Sequence, residues 1–155
     1  MAARRQRTNP PAGVAFWDTS AIVSLCLFQP QSSQANQILR SYRRQITWWA
    51  TPVEAVSALN RLSRDEVLAK QDKARAFERL NKLRRSWNEV QPSLDLRDSA
   101  ERLLNVHGLR AADALQLAAA LVWCRQRPHG RAFVVADEGL SDAAEAEGFT
   151  VIRLL

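Results

Sequence analysis

The stretch Val14-Ala15-Phe16-Trp17-Asp18-Thr19-Ser20-Ala21-Ile22-Val23 decides how this chain folds. Four apolar residues run into an Asp and two hydroxyl residues, and a second apolar run follows. A continuous apolar run bounded by turn chemistry reads as a strand buried on both faces. Asp, Thr and Ser start helices because their side-chain oxygens accept orphan backbone N–H groups. The reading is a central parallel strand over 14–17, a tight turn, and a helix from Thr19 to about Phe28. Asp18 then stands at the carboxyl end of a strand, where open α/β sheets hold their sites.

Working outward, residues 1–12 read as a disordered basic arm ending in Pro10-Pro11, and residues 13–155 as a single domain. A polar helix is expected over 32–42. Ile46-Thr47-Trp48-Trp49 is a β-rich run, followed by a helix from Thr51-Pro52 to about Leu62 and a charged one over 66–83. Trp87-Asn88-Glu89-Val90 makes a third strand, then helices over 96–106 and 110–127. Residues 131–135 form a fourth strand, 138–147 a helix, and 150–154 the last strand. Strands alternating with helices place helices on both faces of a parallel sheet. The fold class is α/β, with five strands and some paired helices between them.

Composition bounds the function. With 155 residues, 46% hydrophobic and 25% charged, the chain supports one sizeable core. The net charge of +6 favours an anionic partner, nucleic acid first. Cys26 and Cys124 lie in apolar helices and lack zinc-site spacing, so they read as small buried hydrophobes. His107 and His129 adjoin Gly108 and Gly130 and read as surface turn residues. No apolar segment reaches the ~18 residues that span a bilayer. The arginines near the start are followed by no uninterrupted apolar region, so the expectation is a cytoplasmic protein without a secretory signal.

Four acids fall at helix starts: Asp18, Glu54, Asp113 and Asp137. Each has a structural explanation. Asp18 and Asp137 could be N-caps, Asp113 sits where a helix dipole favours negative charge, and Thr51-Pro52-Val53-Glu54 fits a capping box with Thr51 at N-cap. Their joint pattern says more. If the strands before Asp18 and Asp137 flank the point where strand order reverses, both acids face one crevice. Asp113 opens an otherwise apolar helix, where an unpaired carboxylate is costly. Converging carboxylates repel unless a hard divalent cation neutralises them; magnesium or manganese suits oxygen ligands, and zinc does not suit this set. An aspartyl phosphatase wants a second Asp two residues after the first, where Ser20 stands. A receiver domain needs an acceptor Asp after the third strand, where Val90-Gln91-Pro92 stands.

Four segments carry a resemblance to a known family. They are Trp17-Asp18-Thr19-Ser20-Ala21, Thr51-Pro52-Val53-Glu54-Ala55, the run from Leu109 to Ala118, and Val135-Ala136-Asp137-Glu138-Gly139-Leu140 with Ala143, Ala144 and Gly148. In order and spacing they make the chain resemble the PIN-domain ribonucleases, most closely the toxin subunits of bacterial VapBC-type toxin–antitoxin pairs. The resemblance implies a three-layer α/β/α sandwich on a five-stranded parallel sheet. It implies that Asp18, Glu54, Asp113 and Asp137 form an acidic quartet binding one or two Mg2+ ions, with Mn2+ as a substitute and the Ser20 hydroxyl in support. It also implies an RNA substrate, a small antitoxin covering the site, and a homodimer. Arg110 could reach an RNA phosphate or pair with Asp113. Glu138, Asp142, Glu145 and Glu147 could contribute to the site, the last two reading rather as solvated helix face. The alternative function is a catalytically silent PIN-like module that only binds RNA or protein.

Overall fold

A computed structural model describes residues 13–28 and 30–154. The expected basic arm over 1–12 lies outside them. The first strand, β1, is Val14–Trp17, and Asp18 caps α1, Thr19–Cys26. There follow α2 (Pro30–Ser41), β2 (Arg44–Trp48), α3 (Thr51–Arg64), α4 (Lys70–Arg84), β3 (Asn88–Val90), α5 (Leu94–Val106), α6 (Ala111–Trp123), β4 (Ala132–Val135), α7 (Glu138–Glu147) and β5 (Thr150–Arg153). All four strand pairings are parallel, and the order across the sheet is β3-β2-β1-β4-β5. This is the three-layer α/β/α fold expected.

The side-chain alternation of the strands divides the core in two. Phe16, Ile46, Trp48, Phe133 and Val135 face α5, α6 and α7, with the Phe16 and Phe133 rings stacked at 5.3 Å. Ala15, Trp17, Ala132 and Val134 face α1 to α4. Strands β1 and β4 are therefore buried on both faces, which is why their sequences are apolar runs without alternation.

Strand order reverses beside β1. The chain moves from β1 outward to β2 and β3, then returns to place β4 on the other side of β1. The Asp18 backbone N–H donates to Val134 O at 3.0 Å, joining the ends of the two strands. The condition set by the sequence is met: the strands preceding Asp18 and Asp137 are neighbours at the switch point.

Several expected boundaries differ for identifiable reasons. Helix α6 stops at Trp123 rather than running to 127, because Arg125 and Gln126 take left-handed backbone angles, φ 54° and 60°. Helix α4 begins at Lys70 rather than 66, since Glu66 also turns left-handed at φ 58°. The capping box at α3 does not form. Ala50 is the N-cap, no side chain caps the helix, and Thr51 lies inside its first turn with its hydroxyl used elsewhere. His107 is no surface turn residue: it is half-buried at the C-cap of α5, with Nε2 2.8 Å from Glu147 Oε1. Glu147 likewise is not solvated helix face, because Arg102 grips it through two hydrogen bonds of 2.9 and 3.1 Å. No helix among the described residues is long and apolar enough to cross a membrane.

Candidate metal centre

The four acids occupy one edge of the sheet because each follows a strand end or opens a helix there. Asp18 is the N-cap of α1 and Asp137 the N-cap of α7; Glu54 lies in the first turn of α3 and Asp113 in that of α6. The positive ends of four helix dipoles thus meet at this edge, which favours negative charge. Asp18 is buried, at 4% exposure, Glu54 and Asp113 are half-buried, and Asp137 is exposed.

Two hydrogen-bonding assemblies hold the inner acids. Ser20 donates to Asp18 Oδ2 from its hydroxyl at 2.5 Å and from its backbone N–H at 3.0 Å. The same hydroxyl accepts the Ala136 N–H at 2.9 Å, so it ties Asp18 to the chain leaving β4. Around Glu54, Thr19 Oγ1 donates to Oε2 at 2.7 Å and Gln116 Nε2 donates to the same oxygen at 2.8 Å. Gln116 Nε2 also stands 2.6 Å from Thr19 Oγ1 and 3.2 Å from Thr51 Oγ1. Its amide nitrogen must face Glu54, because an ionised carboxylate only accepts. Asp137 Oδ1 accepts the Leu140 N–H at 2.8 Å as a helix cap.

The electrostatics are those of uncompensated acids. Burial pushes the Asp18 carboxyl up to about 7; the Ser20 hydrogen bonds oppose that shift, and repulsion from Glu54 and Asp113 adds to it. Asp113 is raised as well, first by burial, then by Asp137 and Glu54, with Arg110 pulling the other way. None of the four acids forms an ion pair within 4.0 Å of a Lys, Arg or His among the described residues. Arg110, the N-cap residue of α6, is exposed and influences Asp113 without pairing with it. Of the later acids, Asp142 and Glu145 bind Arg153 at 3.1 and 2.7 Å, and Glu147 is taken by Arg102 and His107.

As placed, no three His, Cys, Asp or Glu side chains among the described residues stand close enough to hold a metal ion together. Carboxylates without a counter-charge stay apart, and hydrogen bonds hold Asp18, Glu54 and Asp137. In donor chemistry the set nevertheless fits a hard divalent cation: oxygen only, with His and Cys elsewhere. Each anchored carboxylate retains lone pairs on its second oxygen.

Sequence reasoning overlooked Thr19, Thr51 and Gln116 as parts of this site. Gln116 carried a readable signal. It is polar in an otherwise apolar helix and lies three residues after Asp113, hence on the same face. The threonines carried none, since hydroxyls at helix starts are ordinary caps.

The PIN-domain family model matches residues 15–146. The chain belongs to the PIN-domain family, whose members are typically metal-dependent nucleases. Among solved structures it is similar to PAE2754 from Pyrobaculum aerophilum, with a TM-score of 0.61 and 23% identity, covering 92% of this chain and 90% of that one. At that identity the likeness speaks to the fold. No curated protein matches the chain.

Proposed function

We propose that this protein is a Mg2+-dependent endoribonuclease, with Mn2+ as a substitute, acting as the toxin of a type II toxin–antitoxin pair. Asp18, Glu54, Asp113 and Asp137 are the residues that would hold the metal. The observation that carries this reading is the state of Asp18: a buried carboxylate at the strand-order switch, raised to about 7, repelled by Glu54 and Asp113, with no ion pair to a cationic side chain among the described residues. Such a group needs either a proton or a cation. A divalent cation supplies Lewis acidity toward a phosphodiester and its attacking water, and offsets charge on the leaving oxygen.

The chain's own residues do the positioning. Ser20 fixes the Asp18 carboxylate and links it to the β4 end. Thr19 and Gln116 orient Glu54 by both engaging its Oε2. Arg110, exposed three residues before Asp113, would take an RNA phosphate in this reading. A small antitoxin over the acidic edge, a homodimer, a single domain over 13–155 and a cytoplasmic location belong to the same reading. Their support is the four-segment resemblance to VapBC-type toxins.

The second reading is a PIN-like module that binds RNA or protein without turnover, favoured by the carboxylates standing apart as placed. Cleavage of total bacterial RNA separates the two. Discrete products that require Mg2+ or Mn2+, stop with EDTA and are absent for Asp18→Asn support the nuclease. RNA retained without cleavage under either metal, by protein shown by intact mass to be free of antitoxin, supports the binding module.

A further inference from the structure

At the sheet edge opposite the acids, where α6 ends and β4 begins, the chain reads Trp123-Cys124-Arg125-Gln126-Arg127-Pro128-His129-Gly130-Arg131. Trp123, Cys124, Arg125, Arg127 and Arg131 line a pocket of about 430 Å³. Three of these five residues are guanidiniums and none is acidic. None of the three arginines forms an ion pair within 4.0 Å among the described residues. The Arg131 guanidinium packs over the Trp123 ring, 5.5 Å from its centroid, which presets its position.

The backbone here closes α6 as a Schellman cap, with Arg125 N–H donating to Val122 O at 3.1 Å. Arg125 and Gln126 both adopt positive φ, while Gln126 N–H donates to Leu121 O at 2.8 Å and Arg127 N–H to Cys124 O at 3.1 Å. Glycine would close the helix in this conformation at lower steric cost. The α6 dipole favours positive charge at this end, but by only about 0.3–1 kcal/mol at the surface. It does not account for three guanidiniums converging on one pocket, where they repel each other. An anion does account for it, and arginine's planar fork matches phosphate oxygens.

We propose that the Arg125, Arg127 and Arg131 pocket binds a backbone phosphate of RNA, as a second anchoring site remote from the acidic edge. The choice of RNA as ligand rests on the nuclease reading above. An acidic crevice repels a polyanion, so affinity for RNA has to come from cations elsewhere on the surface. From Asp113 to Trp123 helix α6 advances ten residues, about 15 Å. A folded RNA of a few helical steps spans such a distance, so one molecule reaches both places.

The test is RNA binding by the full chain in EDTA, where metal-dependent cleavage cannot contribute, at several salt concentrations. The probes are a folded RNA, short single strands and inorganic phosphate. Arg125→Asn with Arg127→Gln removes two charges, Asn being tolerated at positive φ. Arg84→Gln with Arg85→Gln, at exposed positions ending α4, removes the same charge elsewhere. The pocket double variant should weaken folded-RNA binding by about tenfold or more. It should also flatten the slope of log K against log salt by about 1.4–1.8, as expected for two lost phosphate contacts. Arg127→Gln alone, outside the left-handed pair, should give about half that slope change and serves if the double variant misfolds. Equal effects from the two double variants would overturn the proposal, leaving only net charge. Displacement of RNA by inorganic phosphate, with affinity independent of RNA length, would overturn the assignment to RNA in favour of a small phosphorylated ligand. Metal-dependent cleavage by the unaltered protein reports on the acidic site and binding in EDTA on this pocket, so either reading can fail without the other.

Discussion

At the scale of single residues, Asp18 holds the main tension in the molecule. Its carboxyl is raised from 3.8 to about 7, so the folded state binds a proton that the unfolded chain releases. Folded and unfolded states then differ in proton uptake between about pH 4 and pH 7. The sign follows: metal-free stability falls as pH rises through that window and stays low above it. Thermal unfolding in EDTA should show this fall, and Asp18→Asn should flatten it and be the more stable protein at pH 8. An unchanged profile in the variant would mean that Asp18 is not the group responsible. Gln116 gives a second expectation. It bridges Thr19, Thr51 and Glu54, so Gln116→Leu frees Glu54 from one of its two donors while filling the same space. Loss of such supporting contacts costs about 10–100-fold in metal affinity or activity. Mn2+ titration of Gln116→Leu should show that loss with a near-normal fold. Asp18 was readable because it ends an apolar run. Gln116 became meaningful only once packing brought two distant segments, the starts of α1 and α3, to its amide.

At the scale of elements, caps and turns set the boundaries. Ser93 caps α5 by accepting the Leu96 N–H at 3.1 Å, and Ser93→Ala should cost about 1 kcal/mol. Gly148 ends α7 with φ 110°, and an added Cβ would meet Pro128 Cγ at 3.3 Å. Gly148→Ala should therefore cost about 1–2 kcal/mol from the left-handed backbone alone, read as a lower thermal midpoint. A midpoint equal to that of the unaltered protein would contradict the strain assigned there. Strand β1 and helix α7 were legible to the residue, because an apolar run meets a cap in one and a cap and glycine bracket the other. The end of α6 was not, since Arg125 and Gln126 are ordinary helix formers that turn left-handed only in the folded chain. The capping box at Thr51 failed for a related reason: its hydroxyl lies toward Gln116, a partner 65 positions away.

At the scale of the whole molecule, strand order does what no local pattern could announce. The sequence supplied five strands and their helices, but only the return of β4 to the flank of β1 places Asp137 beside the edge that Asp18 occupies. The conditional reading of a shared crevice depended on that topology. In the RNA-binding reading proposed above, the net charge of +6 offsets the acidic edge, and the arginines at the far end of α6 would be part of the compensating surface. Divalent cation binding should also stabilise the folded chain by mass action, raising its thermal midpoint with concentration. The most direct measurement is diffraction from crystals soaked in Mn2+, read by the metal's anomalous signal. A peak is expected among the carboxylates of Asp18, Glu54, Asp113 and Asp137, weakened or lost in Asp18→Asn. A protein that cleaves RNA with manganese yet places the ion away from these residues would contradict this expectation.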